Sequence, residues 1–441
     1  MSFVCEKREL AMADLECSGL VYVESHGCSE NYADGQMMEN ALRNEGYRVV
    51  SRPEDATFLV YNTCAVKGPT ENRMIHILKN SYPSKKLIVT GCLPNINFKR
   101  LNQEVRFDAA IGPSPGSQIV EVIRRIEHGE KPISLRRDSK PNLSLLSLTP
   151  AETIRIVPIS YGCTSSCTFC SVPLARGRLR SYEPTEILRQ VEIGVRSGIK
   201  EIWLTATDLV CYGWDLKTTL PDLLKRICHL TQKFHVRLGM MNPSYLPRIL
   251  DDLTSAIASE KFFKFLHLPL QSGDEDVLKF MRRHYSPSEF AAITNELRAK
   301  IGFLTLATDV ICGFPGETEE AFERTLETLS TIKPDIVNVS QFHPRPGTRA
   351  AKMHQVPNGI TKQRSKRASD LAQEISLERN SNWVGWQGEV LIDEKGKNGT
   401  WKGRNFAYKP VVIAGEGDLG GKFIVAKVLK AHHNFLEAEI N

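Results

Sequence analysis

The stretch ISYGCTSSCTFCSVPLARGRLRSY, residues 159–182, decides how the rest of the sequence is interpreted. It places Cys163, Cys167 and Cys170 within eight residues, too close together for scattered core cysteines. A structural zinc site needs four protein ligands, commonly as two C-x-x-C pairs, and only one trio is present here. Three thiolates instead suit a [4Fe–4S] cluster, because they hold three irons and leave the fourth iron open to a small molecule.

The trio follows the first of six strand-then-helix units, which lie within residues 151–380. Six units over roughly 190 residues predict an open, partial (β/α)6 barrel, because a closed eight-unit barrel takes about 250. Active sites in such barrels form at the carboxyl ends of the strands. The strand candidates are IRIVPIS, EIWLTAT, HVRLGM, FLHLPL, LTLATDVIC and DIVNVSQF.

Two further regions flank the barrel, so the predicted fold class is α/β with a small β domain added. Residues 19–130 alternate short apolar runs with helical stretches, which predicts an α/β domain with a parallel sheet. Residues 131–150 are polar and carry Pro132 and Pro141, which is typical of a linker. Residues 381–441 alternate strands with glycine-rich turns, which predicts a small antiparallel barrel, a shape often used on nucleic acid.

The composition is that of an ordinary globular protein, with 41 % hydrophobic and 24 % charged residues among 441. No apolar run approaches the roughly 18 to 20 residues of a membrane span. The N-terminal residues lack the pattern of a secretory signal, so we expect a cytoplasmic protein. A reducing compartment makes disulfides unlikely for the 11 cysteines and favours metal or redox chemistry.

The formal net charge of +6 is modest, but its distribution is uneven. The segment TKQRSKRA, residues 361–368, carries four cations and no acid. Such a segment could bind a polyanion, and a solvated helix face is the alternative interpretation.

The trio and its surroundings resemble the radical S-adenosylmethionine enzymes, and within them the methylthiotransferases. The resemblance covers nearly the whole chain, from about Val21 to the end. Shorter matches, such as HGCSENYADG and RLGMMNPSYL, favour the branch of archaea and eukaryotes that modifies N6-threonylcarbamoyladenosine in tRNA. The four segments that carry the family resemblance, in the family's order, are YGCTSSCTFCSVPLARGRLRSY, FLHLPLQSGDEDVLKFMRRHYS, ATDVICGFPGETEEAF and NVSQFHPRPGTRAAKM.

The resemblance implies two [4Fe–4S] clusters and S-adenosylmethionine as cofactors. It assigns the trio at 163, 167 and 170 to the radical cluster, and Cys28, Cys64 and Cys92 to an auxiliary cluster. From the residues alone, each of these three follows a predicted strand, so one loop edge could gather them. Taken singly, each would be interpreted as a buried free cysteine. Five cysteines match no motif: Cys5, Cys17, Cys211, Cys228 and Cys312.

Contacts to S-adenosylmethionine are expected at strand ends. Asp309 could equally cap a turn, and Arg283 could be a surface cation. His267 and His343 are predicted to be core histidines with satisfied hydrogen bonds. Two segments differ from the family pattern near the expected pocket, LTATD at 204–208 and MMNP at 240–243. The expected cofactor contacts are Thr207, Asp208, Gln271, Ser272, Arg283 and Asp309.

The implied reaction adds a methylthio group to C2 of the modified adenosine next to the anticodon, by radical chemistry. The implied partners are tRNA, an electron donor and a sulfur source, for a protein that we expect to be monomeric and free of the membrane. The C-terminal barrel resembles a TRAM domain, which would hold tRNA by attraction to phosphates. The cations proposed for this role are the run from Lys362 to Arg367 and Lys402, Arg404 and Lys409.

Three alternatives stay open at this stage. The same chemistry could act on an aspartate of a ribosomal protein or on isopentenyladenosine in tRNA. The chain could also be a non-catalytic RNA-binding protein that a metal or cluster stabilises.

Overall fold

The computed structural model describes residues 18–81, 83–146, 148 and 153–441; Cys5 and Cys17 lie outside these ranges. The chain divides into two compact units. The first comprises the chain up to residue 147 together with Ser171–Arg178, and the second comprises Leu148–Cys170 and Leu179–Asn441.

The first unit contains a six-stranded sheet in the order β2-β1-β3-β4-β5-β6, in which every neighbouring pair is parallel. Its strands are β1 (Ser18–Ser25), β2 (Tyr47–Val50), β3 (Phe58–Thr63), β4 (Lys86–Gly91), β5 (Ala109–Ile111) and β6 (Ile133–Ser134). Its helices are α1 (Ser29–Asn44), α2 (Gly68–Lys79), α3 (Cys92–Glu104), α4 (Gln118–Glu127) and α5 (Val172–Arg176).

Helices cover both faces of this sheet, which explains the composition of its central strands. Every residue of β3 is buried, as expected for a parallel strand that has no solvent side. Leu59 and Val89 pack in one apolar layer with α2 and α3, whereas Val60 and Ile88 pack in the other with α1 and α4. The predicted α/β architecture is therefore confirmed.

The first unit extends beyond residue 130, the boundary predicted from composition. Strand β6 pairs with β5 inside the stretch predicted as a linker. Leu143 and Leu146 of the same stretch are buried, and the Leu145 carbonyl accepts a hydrogen bond of 3.0 Å from Asn40 Nδ2. Residues 133–146 therefore contribute a strand and a buried turn to this unit, which the polar composition concealed.

The second unit begins with six parallel strands, in the order β11-β10-β7 and β12-β13-β14. A parallel bridge between Met240 and His267 joins the two halves, so the strands form an open six-stranded barrel, as predicted. Its strands are β7 (Ile154–Pro158), β10 (Glu201–Thr205), β11 (His235–Leu238), β12 (Phe265–His267), β13 (Thr305–Cys312) and β14 (Ile336–Gln341), with a short antiparallel pair, β8 (Ser160–Tyr161) and β9 (Arg180–Ser181).

The helices of the second unit lie between the barrel strands or follow them. They are α6 (Pro184–Arg196), α7 (Leu220–Cys228), α8 (Leu250–Ile257), α9 (Glu275–Met281), α10 (Pro287–Lys300), α11 (Glu319–Ile332) and α12 (Asn358–Ser381). The predicted start of α10 is confirmed, because Ser286 and Glu289 form a reciprocal capping box with Pro287 in the first turn. No helix among the described residues is long and apolar enough to cross a membrane.

The second unit ends in a closed five-stranded barrel with the strand order β15-β16-β17-β19-β18. Four of its pairs are antiparallel, as predicted, whereas β17 and β19 pair in parallel. Val390, Trp401, Ile413 and Val428 are among the residues that fill the barrel. The strands are β15 (Gln387–Lys395), β16 (Thr400–Asn405), β17 (Pro410–Ala414), β18 (Phe423–Ala431) and β19 (Leu436–Ile440).

The basic segment on α12 is not a free cationic patch. Arg364 is buried, and its guanidinium lies 2.9 Å from Glu317 and 3.0 Å from Glu319. Arg367 pairs with Glu319 and Glu323, and Lys366 pairs with Asp370. Most of the charge of this run is therefore neutralised within the fold.

The cations predicted on the C-terminal barrel are paired as well. Lys409 is buried, and its ammonium lies 2.8 Å from Asp335. Arg404 pairs with Asp393 and Lys402 pairs with Glu394. The prediction that Lys409 and Arg364 attract phosphate is wrong, because both charges are buried and paired; Arg404 is 24 % exposed and is paired with Asp393. Of the predicted set, Lys362 alone has no ion-pair partner among the described residues.

Replacing Lys409 with Met tests its structural role. The change leaves the Asp335 carboxylate buried with one fewer cation, so we expect a loss of about 2 to 3 kcal/mol of stability. Urea denaturation of both proteins measures this loss. Lys402→Met, which removes an exposed pair, is the control and should stay within about 0.5 kcal/mol of the parent. Equal midpoints for the two variants would contradict the assignment.

His235 makes a contact between the two barrels of the second unit that we expect to be sensitive to acid. Its ring centre lies 4.8 Å from that of Phe263 and 5.6 Å from that of Phe423 on β18. Burial lowers the pKa of His235 from 6.5 to about 4. Below pH 6.5 the unfolded chain therefore binds a proton that the folded chain excludes, so this contribution to stability falls as the pH is lowered towards 4.

His235→Phe should remove this contribution. The stability difference between parent and variant is expected to shift by about 1 to 2 kcal/mol in favour of the variant between pH 7 and pH 5. Thermal melts at both pH values measure the shift. His229→Phe, at an exposed position, is the control, and a pH-independent difference for His235→Phe would refute the assignment.

Candidate active site

The cysteine loop of the second unit is held by the residue in its middle. Thr168 donates from its backbone nitrogen to the Met281 carbonyl at 3.1 Å and from Oγ1 to the Phe280 carbonyl at 2.7 Å. Its own carbonyl accepts a hydrogen bond of 3.0 Å from the backbone nitrogen of Ala350. The loop is thus fixed to the end of α9 and to the segment after β14.

A chain of hydrogen bonds supports the first thiol. The Ser165 backbone nitrogen donates to Cys163 Sγ at 3.3 Å, and Asn242 Nδ2 donates to Ser165 Oγ at 3.2 Å. Asp208 Oδ1 in turn accepts from the Asn242 backbone nitrogen at 3.1 Å. The two segments that differ from the family pattern, 204–208 and 240–243, are therefore hydrogen-bonded to each other next to the Cys163 loop. Asp208 supports this loop through Asn242.

Cys211 is a neighbour of this loop that the sequence did not single out. Its Sγ lies 3.3 Å from Asp208 Oδ2 and 3.3 Å from Thr164 Oγ1. Cys211 is far from the trio along the chain, so no local spacing signalled the contact. Its thiol hydrogen-bonds the carboxylate that supports the loop.

A buried arginine lies beside the second thiol. Arg283 Nη1 is 3.5 Å from Cys167 Sγ, and Arg283 Nε donates to Tyr285 Oη at 3.1 Å. The Tyr285 hydroxyl donates to the Leu270 carbonyl at 2.7 Å, which fixes the pair. Arg283 is buried, so it is not a surface cation. The guanidinium therefore places a positive charge next to the second sulfur of the loop.

Three neighbouring strands contribute one polar cluster. Asp309 on β13 accepts from Asn338 Nδ2 on β14 at 2.9 Å, and its other oxygen lies 2.9 Å from His267 Nε2 on β12. His267 is therefore paired with Asp309. Its side chain is 18 % exposed, so it does not belong to the core. His343 lies beyond the end of β14 and is only partly buried; burial, with the nearby Arg345 charge, lowers its pKa. The core assignment of the two histidines is thus corrected.

The remaining expected cofactor contacts differ in availability. Ser272 is fully buried; its Oγ lies 3.3 Å from Thr325 Oγ1 and accepts from the Asp274 backbone nitrogen at 3.2 Å. Thr207 is partly buried in the loop after β10. Gln271 has a φ of 69°, and its Oε1 is buried with no hydrogen-bond partner among the described residues. Gln271 therefore offers an unpaired acceptor, whereas Ser272 and Asp208 are engaged by the protein.

The first unit gathers the other three cysteines. Cys28 precedes α1, Cys64 follows β3 and Cys92 begins α3 directly after β4. The strands β1, β3 and β4 are neighbours, so their carboxyl ends bring the three loops together. The loops also touch: Gly27 has a φ of 114°, and a Cβ there would lie 2.6 Å from Cys64 Cβ.

Burial keeps thiols in both sets protonated. It raises the pKa of Cys28 to about 11, that of Cys92 to about 12 and that of Cys163 to about 11. Neighbouring thiols add to the rise, since Cys28 and Cys64 both raise the pKa of Cys92. Such buried thiols release their protons when they bind a metal cation.

The donor sets fit clusters better than single ions. Among the described residues, no three His, Cys, Asp or Glu side chains converge closely enough to hold one metal ion. A [4Fe–4S] cluster binds each cysteine through a different iron, so its ligands stand farther apart. Each set offers three thiols, and the second set also receives hydrogen bonds at two sulfurs. Such contacts tune clusters in proteins.

Three protein-family models match separate parts of the chain. Residues 157–329 match the Radical SAM superfamily, and residues 384–440 match the TRAM domain. Residues 20–112 match a family described as uncharacterized, UPF0004.

Curated relatives match almost the whole chain. A probable threonylcarbamoyladenosine tRNA methylthiotransferase of Pyrococcus abyssi is 41 % identical over 424 residues, which cover 95 % of this chain and 99 % of that protein. The threonylcarbamoyladenosine tRNA methylthiotransferase of Homo sapiens is 31 % identical over 429 residues, with 95 % of this chain and 73 % of that protein covered.

Among solved structures, the radical S-adenosylmethionine methyltransferase TsrM from Kitasatospora setae has a similar fold. It was solved with tryptophan and an analogue of S-adenosylmethionine bound. The TM-score is 0.56 at 14 % identity, with 86 % of this chain and 79 % of that chain covered.

The open barrel and its cysteine loop define a radical S-adenosylmethionine enzyme. Within that class, the chain belongs to the family of threonylcarbamoyladenosine tRNA methylthiotransferases. The resemblance inferred from the four motifs is thereby confirmed.

Arg283→Met should impair the second-unit site without unfolding it. Removing the charge next to Cys167 costs a charge-assisted hydrogen bond, so we expect cleavage of S-adenosylmethionine to slow by about tenfold or more. Release of 5′-deoxyadenosine under anaerobic reducing conditions measures the rate. Arg282→Met changes the adjacent, exposed arginine and should keep the parent rate; a parent rate for Arg283→Met would contradict the role.

Proposed function

We propose that the protein adds a methylthio group to C2 of N6-threonylcarbamoyladenosine next to the anticodon of tRNA. The main support for this proposal is that one chain contains two separate sets of three thiols. The chain also belongs to a family whose members are named for this activity. One set lies on the loop after the first barrel strand, and the other lies at adjacent strand ends of the first unit.

In this proposal the two sets have different tasks. Cys163, Cys167 and Cys170 hold the cluster that binds S-adenosylmethionine, and the set at 28, 64 and 92 holds the auxiliary cluster. With these cofactors bound and one electron from the donor, the first set would support radical cleavage of S-adenosylmethionine. The auxiliary cluster would supply a sulfur atom, and a second S-adenosylmethionine would supply the methyl group. The protein orients and stabilises the thiolates: Ser165 donates to the first thiol of the loop, and Arg283 lies beside the second.

Other residues at the strand ends would position cofactor and substrate. The unpaired Oε1 of Gln271 is an acceptor for a bound donor group. His267 and Asn338 hold the Asp309 carboxylate in one orientation, and its side chain remains 28 % exposed. Thr207 is still proposed to contact S-adenosylmethionine. Asp208 and Ser272 act as positioning residues, because the protein already engages their side-chain oxygens.

Recognition of tRNA is assigned to the TRAM barrel, residues 381–441, and to exposed cations such as Lys362. Phosphate contacts of this kind make affinity fall steeply with salt. The chain needs an electron donor and a sulfur source, and we propose that it acts as a monomer. Residues 19–130 would carry sulfur transfer and residues 151–380 the radical chemistry.

The test is mass spectrometry of nucleosides from tRNA that carries N6-threonylcarbamoyladenosine. The tRNA is incubated anaerobically with reconstituted protein, reductant and S-adenosylmethionine. We expect an adenosine derivative that is heavier by one methylthio group. If that nucleoside stays unchanged while 5′-deoxyadenosine accumulates, the radical chemistry is right, the proposed substrate is wrong, and a ribosomal-protein aspartate is tested next.

Cysteine variants separate the two sets in the same assay. Cys163→Ala should stay folded and form neither 5′-deoxyadenosine nor product. The triple variant Cys28→Ala, Cys64→Ala, Cys92→Ala should form 5′-deoxyadenosine, attach no sulfur and hold about half the iron of the parent. Cys228→Ala, outside both sets, is the control. The parent iron content in the triple variant would refute the ligand assignment.

A further inference from the structure

One arginine lies deep in the first unit although its sequence position belongs to the motif of the second. Arg176 comes six residues after Cys170, on α5, and the segment Ser171–Arg178 is part of the first unit. Arg176 is 2 % exposed, and Ala175 beside it belongs to the apolar core of that unit. Asn95 Nδ2 donates to the Ala175 carbonyl at 2.8 Å, which fixes α5 there.

The guanidinium of Arg176 binds an asparagine that joins two cysteine loops. Arg176 Nη2 donates to Asn31 Oδ1 at 2.5 Å. Asn31 Nδ2 then donates to the His26 carbonyl at 2.7 Å and to the Thr63 carbonyl at 3.1 Å. Thr63 directly precedes Cys64, and His26 lies two residues before Cys28. One amide side chain thus holds the loops of two proposed ligands, and the arginine holds that amide.

Two carboxylates and a hydroxyl also contact the guanidinium. Arg176 Nε lies 3.2 Å from Glu30 Oε2, and Nη2 lies 3.0 Å from Asp34 Oδ2. Nη1 donates to Ser114 Oγ at 3.0 Å. Both carboxylates are buried on α1, the helix that begins directly after Cys28. The fork of an arginine can satisfy all of these partners at once, whereas a lysine ammonium has one charged atom.

We propose that Arg176 is a positioning residue for the auxiliary cluster, and that it acts through Asn31 on the loops of Cys28 and Cys64. The segment that leaves the radical motif therefore completes the ligand site of the other unit. The inference rests on the proposed function, because it takes the first set of thiols as the ligands of a cluster.

The experiment isolates the auxiliary cluster. In a background with Cys163, Cys167 and Cys170 replaced by Ala, the reconstituted chain should hold about four irons. Arg176→Lys in that background keeps the charge near Glu30 and Asp34 but loses the fork. We expect its iron content to fall by more than half and the electron paramagnetic resonance signal of the reduced cluster to change, at a melting temperature close to that of the background.

A second variant and a control complete the test. Asn31→Ser removes the amide and leaves Arg176 with its two carboxylates, so its iron content should fall in the same way. Arg125→Lys changes a surface arginine of the same unit, paired with Glu130, and should keep the background iron content. In the otherwise native chain, both Arg176→Lys and Asn31→Ser should still release 5′-deoxyadenosine.

Two results overturn the proposal. The background iron content and signal in either Arg176→Lys or Asn31→Ser would show that the arginine does not position the ligands. A loss of 5′-deoxyadenosine release as large as the loss of auxiliary iron would show a general folding role instead. If Arg176→Lys does not fold, the result for Asn31→Ser decides alone. A background protein without iron would instead refute the ligand assignment made under the proposed function.

Discussion

The arrangement of the thiol set in the first unit depends on one constraint, the common direction of neighbouring parallel strands. Adjacent strands lie about 4.8 Å apart, so loops that leave the same edge are neighbours whatever their separation in sequence. In the first unit this edge brings together loops that follow β1, β3 and β4. In the second unit, Asp309 faces Asn338 in register across β13 and β14 for the same reason.

Buried charges explain much of what surrounds these edges. Arg176 and Arg364 are buried and paired with carboxylates, and buried Arg283 donates to Cys167 Sγ and Tyr285 Oη. A charge taken out of water is tolerated only with such partners, so these arginines fix the geometry of what they bind. The same argument removes Lys409 from the candidates for tRNA contact, because its ammonium is buried and paired with Asp335.

The hydrogen bonds divide the expected cofactor contacts into residues that have an available oxygen and residues whose oxygens the protein already binds. Gln271 has an unpaired oxygen, and Asp309 is partly exposed. Asp208 and Ser272 instead accept hydrogen bonds from backbone nitrogens. Asp208 thereby supports the cysteine loop, and Ser272 supports the backbone next to Gln271. Ligand-supporting residues of this second kind often matter nearly as much as the ligands themselves.

The sequence by itself determined the features that arise from short spacings and local patterns. Local patterns account for the three cysteines within eight residues, the six apolar strands and the capping box at Ser286. These features could therefore be predicted from the sequence alone. The family resemblance followed from motifs of the same kind. Burial and pairing over long separations could not be read this way, because charge type does not reveal where a side chain lies. Asn31 and Arg176 are 145 residues apart, and Asp309 and His267 are 42 apart. Only the tertiary structure decided these contacts, since packing of the core sets which distant polar groups must satisfy one another.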